Sequence, residues 1–573
     1  MRAGDKQRKL PRSSALRISL LILACLIWSQ PAWSKSARPK APPPVSAEIL
    51  KQGEVMYRQG ILASGEPVQA IVQGDIPVEG TMFTCESCHM RSGVGVIEGG
   101  VITPATTAAA LFVPLHDGAF SSSTQREKLP SYFKPRFRRP AYTDKTLAVL
   151  LRDGMDPTGR VIADVMPRYQ LKDGDMAVLI AYLKSLSAAF SPGVTPTTLR
   201  FATIITEEVS PEDRAAMLGI LEEFIRLRNS RAEVREGRAK YFMAEEMDLS
   251  FRRLELVRWE LKGPPESWRR QLETYYRQAP VFAILGGITT GEWKPIHEFS
   301  EENRIPCLFP ITDFPVVSAT DWYTVYFSKG LYQEGDATAR YLASTVAIAP
   351  EETVLQIYRD DRQGRDLADG FAAAWQELGR RQAVSIPLKS GQAPTRELLQ
   401  QVVERERPTV ILLWAGAEAI PVLEPLTATA NGPRLVFVSG GLLGESLWQL
   451  PEGVRTRTFI TYPYRLPQEE DGYARQIQAW MAYQKLPLTN ERIAARMNIL
   501  ARILTDTLMH LKRNYYRDYF LDVVSMLSDR EYALYERISF GPGQRYASKG
   551  CYIVQLEAGD KPLLAKRSEW VTH

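Results

Sequence analysis

The chain has 573 residues, 45% of them hydrophobic and 24% charged, with 38 glycines and 38 prolines. At ~100–200 residues per domain this is material for two to four globular domains, and it excludes collagen-like, wholly disordered and polytopic membrane proteins. The net charge of +5 arises in the first 34 residues, where Arg2, Lys6, Arg8, Lys9, Arg12 and Arg17 face only Asp5; the near-neutral remainder gives no electrostatic reason to expect nucleic acid as a partner.

Residues 1–34 read as an export signal: a basic stretch ending at Arg17, the apolar run Ile18–Trp28, and small residues near Ser34. The run is shorter than the ~20 residues a membrane span requires, so an uncleaved anchor is the weaker reading. Cys25 follows Leu-Ile-Leu-Ala, a weak lipidation signal. The expected location is the periplasm. A Pro-rich spacer, 35–47, opens the mature chain.

Residues 48–190 are expected to be mainly α with long connections. Ser46 is placed to cap a helix containing Ile49, Leu50, Met56 and Tyr57, and Met176, Leu179, Ile180, Leu183 and Leu186 recur at helical spacing near the end. Between them lies Cys85-Glu-Ser-Cys88-His89. Two thiols at this spacing can each add to a haem vinyl group, and the adjacent imidazole then lies beneath the iron as proximal ligand. A zinc site needs a fourth ligand, for which only His116 is near, and a simple disulfide leaves His89 unexplained. Met82, Met90, Met155, Met166, Met176 and His116 are available as the second axial ligand. Met166 is preferred because Pro167 stiffens its loop; Met155 is the rival, and Met176 fits core packing better.

On Gly53 and Tyr57, the Cys85–His89 motif, Met166-Pro167-x-Tyr169 and the helix ending Ala181–Leu186, this block resembles a class I c-type cytochrome. The resemblance implies one covalent haem c, iron ligation by His89 and Met166, and one-electron transfer to a periplasmic dehydrogenase or another cytochrome. It also implies that the Pro104 carbonyl receives the His89 imidazole hydrogen bond. The connections Gly60–Thr84 and 98–140 are longer than in short members of that family.

Ser191–Thr198 reads as a linker, and from Leu199 to the end strand and helix alternate. Strands are expected at Leu199–Ile205, Val281–Leu285, Val354–Tyr358, Val410–Trp414 and Leu435–Val438. Helices are expected at Pro211–Arg228, Leu367–Leu378, Arg396–Val403 and Glu418–Leu426, with the charged stretch Arg226–Lys240 as a solvated helix face or insertion. Such alternation implies parallel sheets covered by helices, and the number of units implies two α/β lobes. The fold class is thus multidomain, a mainly-α block followed by a two-lobed α/β block.

Residues 199–573 resemble the type I periplasmic solute-binding proteins of the branched-chain amino acid and amide class. The resemblance rests on Leu285–Thr290, Asn303–Pro315, Tyr358–Arg365 and Lys549–Leu556. It implies lobes closing over a small-molecule solute and delivery to an ABC permease, with Thr289, Thr290, Thr312 and Asp313 at the cleft. The pattern is broken where Asp313 replaces the usual Thr, Gln363 replaces an aromatic, and an acid expected near Gly440-Gly441 is missing. Asp313, Tyr358 and Trp414 then point to a cation or polyol rather than an amino acid.

Catalysis finds little support: His297 and His510 have no nucleophile at a recognisable spacing, and no phosphate loop follows Gly286-Gly287. Cys307 and Cys551 read as buried thiols, with a disulfide as the lesser option. The expected function is an exported mono-haem electron carrier fused to a solute-binding module. The alternatives are a transport or sensing receptor with an accessory haem, and a haem peroxidase, which requires an open sixth iron position.

Overall fold

The computed structural model describes residues 45–98, 101–115, 138–239, 252–349, 351–389, 391–428, 432–469, 472–541, 543–557, 559 and 562–572. The expected export signal, Cys25 and His116 lie outside them. Among the described residues no helix is long and apolar enough to cross a membrane.

The N-terminal block begins with α1 (Ala47–Gln59), capped by the Ser46 side chain, which accepts from the Ile49 N–H. Strands β1 (Gln69–Val72) and β2 (Ile76–Glu79) precede the one-turn α2 (Cys85–His89). The hairpin β3 (Val96–Glu98) and β4 (Val101–Thr103) follows, then α3 (Asp144–Asp153), β5 (Arg168–Tyr169) and α4 (Asp173–Ser185). A small antiparallel sheet runs β2-β1-β5. Helices α1 and α4 cross at Gly53, where a Cβ would stand 2.5 Å from Tyr182 Cβ and 2.8 Å from the Val178 carbonyl oxygen. Only glycine permits that approach. Tyr57 and Tyr182 pack at 5.5 Å beside it, and Met176, Leu179, Ile180 and Leu183 line the core below.

Two lobes follow. The first has an all-parallel sheet in the order β10-β9-β8-β6-β7, built from β6 (Thr198–Thr206), β7 (Arg253–Leu261), β8 (Ala283–Leu285), β9 (Cys307–Leu308) and β10 (Thr324–Val325). Helix α5 (Pro211–Ala239) covers it and continues through the charged stretch that begins at Arg226. The second lobe opens with α6 (Leu331–Thr345). Its sheet runs β12-β11-β13-β14-β15-β16-β17, from β11 (Val354–Arg359), β12 (Val384–Leu388), β13 (Val410–Trp414), β14 (Leu435–Ser439), β15 (Thr458–Tyr462), β16 (Gly550–Leu556) and β17 (Leu564–Lys566). The first five are parallel; β16 and β17 join antiparallel. Helices Arg362–Glu377, Arg396–Glu406 and Ile420–Ala428 stand where the apolar spacing places them.

Helices α7 (Glu491–Leu511) and α8 (Arg517–Ser525) return to the first lobe and complete its core with Met497, Leu500, Phe520 and Val524. The chain therefore crosses between lobes three times, near Ser328, near Pro467 and near Ser548. The expected linker is stitched down rather than loose: the Ser191 N–H donates to the Tyr515 carbonyl at 3.2 Å, and its hydroxyl accepts from the Arg517 N–H at 3.0 Å.

Candidate functional site

Thr84 caps α2 by accepting from the Ser87 N–H at 3.1 Å, so Cys85, Cys88 and His89 project from a single helical turn. Cys85 is half-buried, Cys88 is exposed, and both are free thiols. His89 is buried, and its Nδ1 stands 2.7 Å from the Pro104 carbonyl oxygen. A carbonyl only accepts, so Nδ1 carries the proton and Nε2 keeps its lone pair. Burial lowers the His89 pKa against that hydrogen bond, favouring the neutral imidazole. Gly95 makes the approach feasible: its φ is +78°, and a Cβ there would meet the Pro104 carbonyl at 2.9 Å. Cys85 lies 3.7 Å from the Tyr169 hydroxyl, and burial pushes its thiol up to about 11. Met166 is half-buried and packs against the same core as Cys85. Met176 belongs to that core, and Met155 is exposed. Among the described residues no group of three or more His, Cys, Asp and Glu is placed to hold a metal ion.

Helix α1 and the segment after α2 are clamped to the first lobe by charge. Arg58 bonds Glu54 at 2.9 Å and Asp518 at 3.0 Å, while Arg304 reaches Glu54 at 2.8 Å and the Tyr323 hydroxyl donates to Asp518 at 2.8 Å. The Ser92 N–H donates to buried Asp522 at 3.0 Å, and burial raises that carboxyl to about 7 against this donor. Trp322 is sandwiched between two guanidinium groups, Arg91 at 4.3 Å and Arg545 at 3.8 Å from its ring.

A cavity of about 420 Å³ separates the lobes. The first lobe contributes Thr312, Asp313, Tyr326, Phe327, Arg496 and Tyr535; the second contributes Glu334, Gly441, Leu447, Trp448 and Tyr462. Tyr326 and Phe327 are held by a bridge to the segment Arg545–Ser548: the Tyr326 N–H donates to the Arg545 carbonyl at 2.8 Å, and the Ser548 N–H to the Phe327 carbonyl at 2.7 Å. Beneath, His297 joins the Tyr326 hydroxyl at 3.0 Å to Asp321 at 2.8 Å. Glu334 Oε2 accepts from the Ser439 hydroxyl at 2.7 Å, the Thr461 hydroxyl at 2.5 Å and the Gly441 N–H at 3.3 Å. Burial nevertheless raises this carboxyl to about 7. Burial opposes the charge on Arg496, but Tyr535, Tyr464 and Asp313 outweigh it and hold the guanidinium cationic.

Of the residues singled out from sequence, Thr312 and Asp313 line the cavity. Four others stand elsewhere, a correction to the expected cleft. Trp414 is wholly buried in β13 and its indole N–H donates to Gln356 at 3.1 Å, so it is core. Tyr358 packs against that same core. The Thr289 hydroxyl donates to Glu208 just after β6 and accepts from the Gly291 N–H, and Thr290 is exposed outside the cavity lining. The acid that seemed missing near Gly440-Gly441 arrives from α6 as Glu334, more than a hundred residues earlier in the chain. Arg492 and Arg496, both cavity-lining, were not visible as site residues, because helical spacing alone marks α7 as a core helix. Cys307 and Cys551 are buried free thiols.

A family profile described as periplasmic binding protein matches residues 244–561. Solved structures similar to the chain include an ABC transporter substrate-binding protein from Sphaerobacter thermophilus, with 12% identity, covering 66% of this chain and 98% of that one, at a TM-score of 0.47. A branched-chain amino acid ABC transporter protein from Thermus thermophilus with bound valine shows 13% identity, 66% and 97% coverage, and a TM-score of 0.46. A leucine-binding protein from Thermotoga maritima shows 14% identity, 65% and 99% coverage, and a TM-score of 0.43. No curated protein matches the chain.

Proposed function

Because the chain belongs to the periplasmic binding protein family through residues 244–561, we propose that it captures a small solute between its lobes and holds one covalent haem c on its N-terminal block. Family membership implies an exported, periplasmic protein. The capture reading is carried by the cavity of about 420 Å³ lined from both lobes, a volume within the ~300–1,000 Å³ range of small-molecule sites. A ligand touching both walls favours the closed arrangement of the lobes over the open one. Thermal unfolding of the full chain against a panel of periplasmic solutes tests this. A ligand raises the melting temperature in a concentration-dependent way, and a panel in which none does so removes the reading.

The haem reading is supported by the imidazole held on the Pro104 carbonyl at 2.7 Å, beside two free thiols on one helical turn. His89 would bind the iron through Nε2, Cys85 and Cys88 would hold the porphyrin edge, and Met166 would face them from its Pro-stiffened loop. The surface chemistry fits an apolar disc. Met82, Val161 and Val165, on the segments flanking Cys85 and Met166, are 72%, 62% and 66% exposed. When bound, the group supplies reversible one-electron exchange. The chain's own residues fix the imidazole tautomer and limit water access. An ABC permease and a periplasmic redox protein, either a dehydrogenase or another cytochrome, are the partners this reading implies. In a host that matures such proteins, acid-extracted polypeptide should keep its pigment, Cys88→Ser should weaken that attachment, and Met166→Ala should lose the thioether-to-iron absorption band. Colourless extracted protein would remove the haem reading and leave solute capture standing.

A further inference from the structure

Arg492 and Arg496 stand one helical turn apart on α7, and both line the cavity. Like charges at this spacing repel each other, so the pair costs stability while the space between them is empty of an anion. Asp313, on the same wall, offsets part of that charge without forming an ion pair with either arginine. Arg496 Nε donates to the Tyr535 hydroxyl at 3.1 Å, and its terminal nitrogens have no acceptor among the described residues. The guanidinium carbon lies 5.5 Å from the Phe327 ring, which fixes the plane of the fork without using its donors. Arg492 rests 5.2 Å from the Tyr464 ring and meets Glu445 only at 4.0 Å, a carboxylate whose side chain is 89% exposed.

On the facing wall the acids are exposed Glu445 and buried Glu334. Glu334 is the acid of the second lobe nearest Gly441, but Oε2 is taken by Ser439, Thr461 and the Gly441 N–H. Burial holds it near 7, so it is a poor partner for an ammonium group. Leu447, Trp448 and Tyr462 complete that side with apolar and aromatic surface.

We infer that the cleft takes an organic acid, its carboxylate gripped by Arg496 and backed by Arg492, its aromatic or aliphatic body seated between Phe327, Trp448 and Tyr462. This rests on the solute-capture reading and narrows it. A planar guanidinium matches a carboxylate through two parallel N–H···O bonds, which a lysine cannot reproduce. A zwitterionic amino acid would bring its ammonium toward the same two cations, with Asp313 as the acid of that wall left to receive it.

The test is calorimetric titration and thermal unfolding of the full chain with benzoate, phenylacetate and hexanoate, each beside its primary amide, and with leucine and phenylalanine. The acids bind, the amides bind at least about tenfold more weakly, and added salt weakens the acids. Arg496→Gln loses at least about tenfold in acid affinity while its amide affinity is unchanged, and Arg496→Lys recovers only part of the loss. If Arg496→Gln melts well below the parent without ligand, Arg492→Gln serves as the second variant, with a smaller loss in the same direction. Amides or amino acids binding as well as the acids overturn the inference and leave solute capture intact. No binding by any compound, of this panel or of the wider one above, overturns both.

Discussion

Glu334 sits at the cleft wall with three donors on one oxygen, yet burial holds its carboxyl near 7, well above the ordinary 4.5. The folded state therefore keeps this proton longer than the unfolded chain does. Stability from the group is fully present below about pH 4.5 and is lost as the pH rises through about 7, a change of about 3 kcal/mol. Glu334→Gln should match the parent in melting temperature near pH 4.5 and exceed it at pH 8; a variant that gains nothing at pH 8 contradicts the argument. Asp522, raised to about 7 from 3.8, carries the same sign, and Asp522→Asn should add its own gain at pH 8. Single residues were also where sequence reading was least secure. Trp414 has the look of a ligand platform, but its N–H is satisfied by Gln356 within the sheet. Arg496 has the look of a helix surface residue, and becomes a site residue only because α7 packs beside loops that lie far from it in sequence.

At the level of elements, the strands that read clearly were those buried on both faces. Val410–Trp414 is an unbroken apolar run because its sheet is covered on both sides. Strand β7 did not read, since Arg253, Glu255, Arg258 and Glu260 interrupt it, and its place at the sheet edge explains those charges. Gly53 and the closing helix were legible as separate parts of a resemblance, and their crossing appears only in the fold. Gly53→Val should force the helices apart and cost about 1–3 kcal/mol in thermal unfolding. The clamp onto α8 was not legible, because each of its charges looks like an ordinary surface residue until the two blocks meet. Arg58 is nearly covered between Glu54 and Asp518, and in Arg58→Ala these carboxylates keep only Arg304 and, on the other side, Arg91 and the Tyr323 hydroxyl, at a cost of about 1–3 kcal/mol. The expected readout is separate unfolding of the N-terminal block ahead of the lobes; a single unchanged transition contradicts it.

Across the whole molecule, cleft and motif are joined through few intermediates. Tyr326 and Phe327 at the cavity pair with the Arg545–Ser548 segment, Arg545 stacks on Trp322, and Trp322 stacks on Arg91, two residues from His89. Ordering the cleft wall with phenylacetate should slow amide hydrogen exchange at residues 326–328 and also at 90–95. In Trp322→Leu the first effect should persist and the second vanish, whereas protection at 90–95 that survives the substitution would show another route.

The triple passage of the chain between lobes has a consequence for biosynthesis. The first lobe waits for helices that begin at Glu491, and the second waits for a strand that begins at Gly550, so a nascent polypeptide halted at Asn490 has finished neither. Only the N-terminal block has its full set of elements early, and it must persist through the translation of more than three hundred further residues before α8 emerges to cover it.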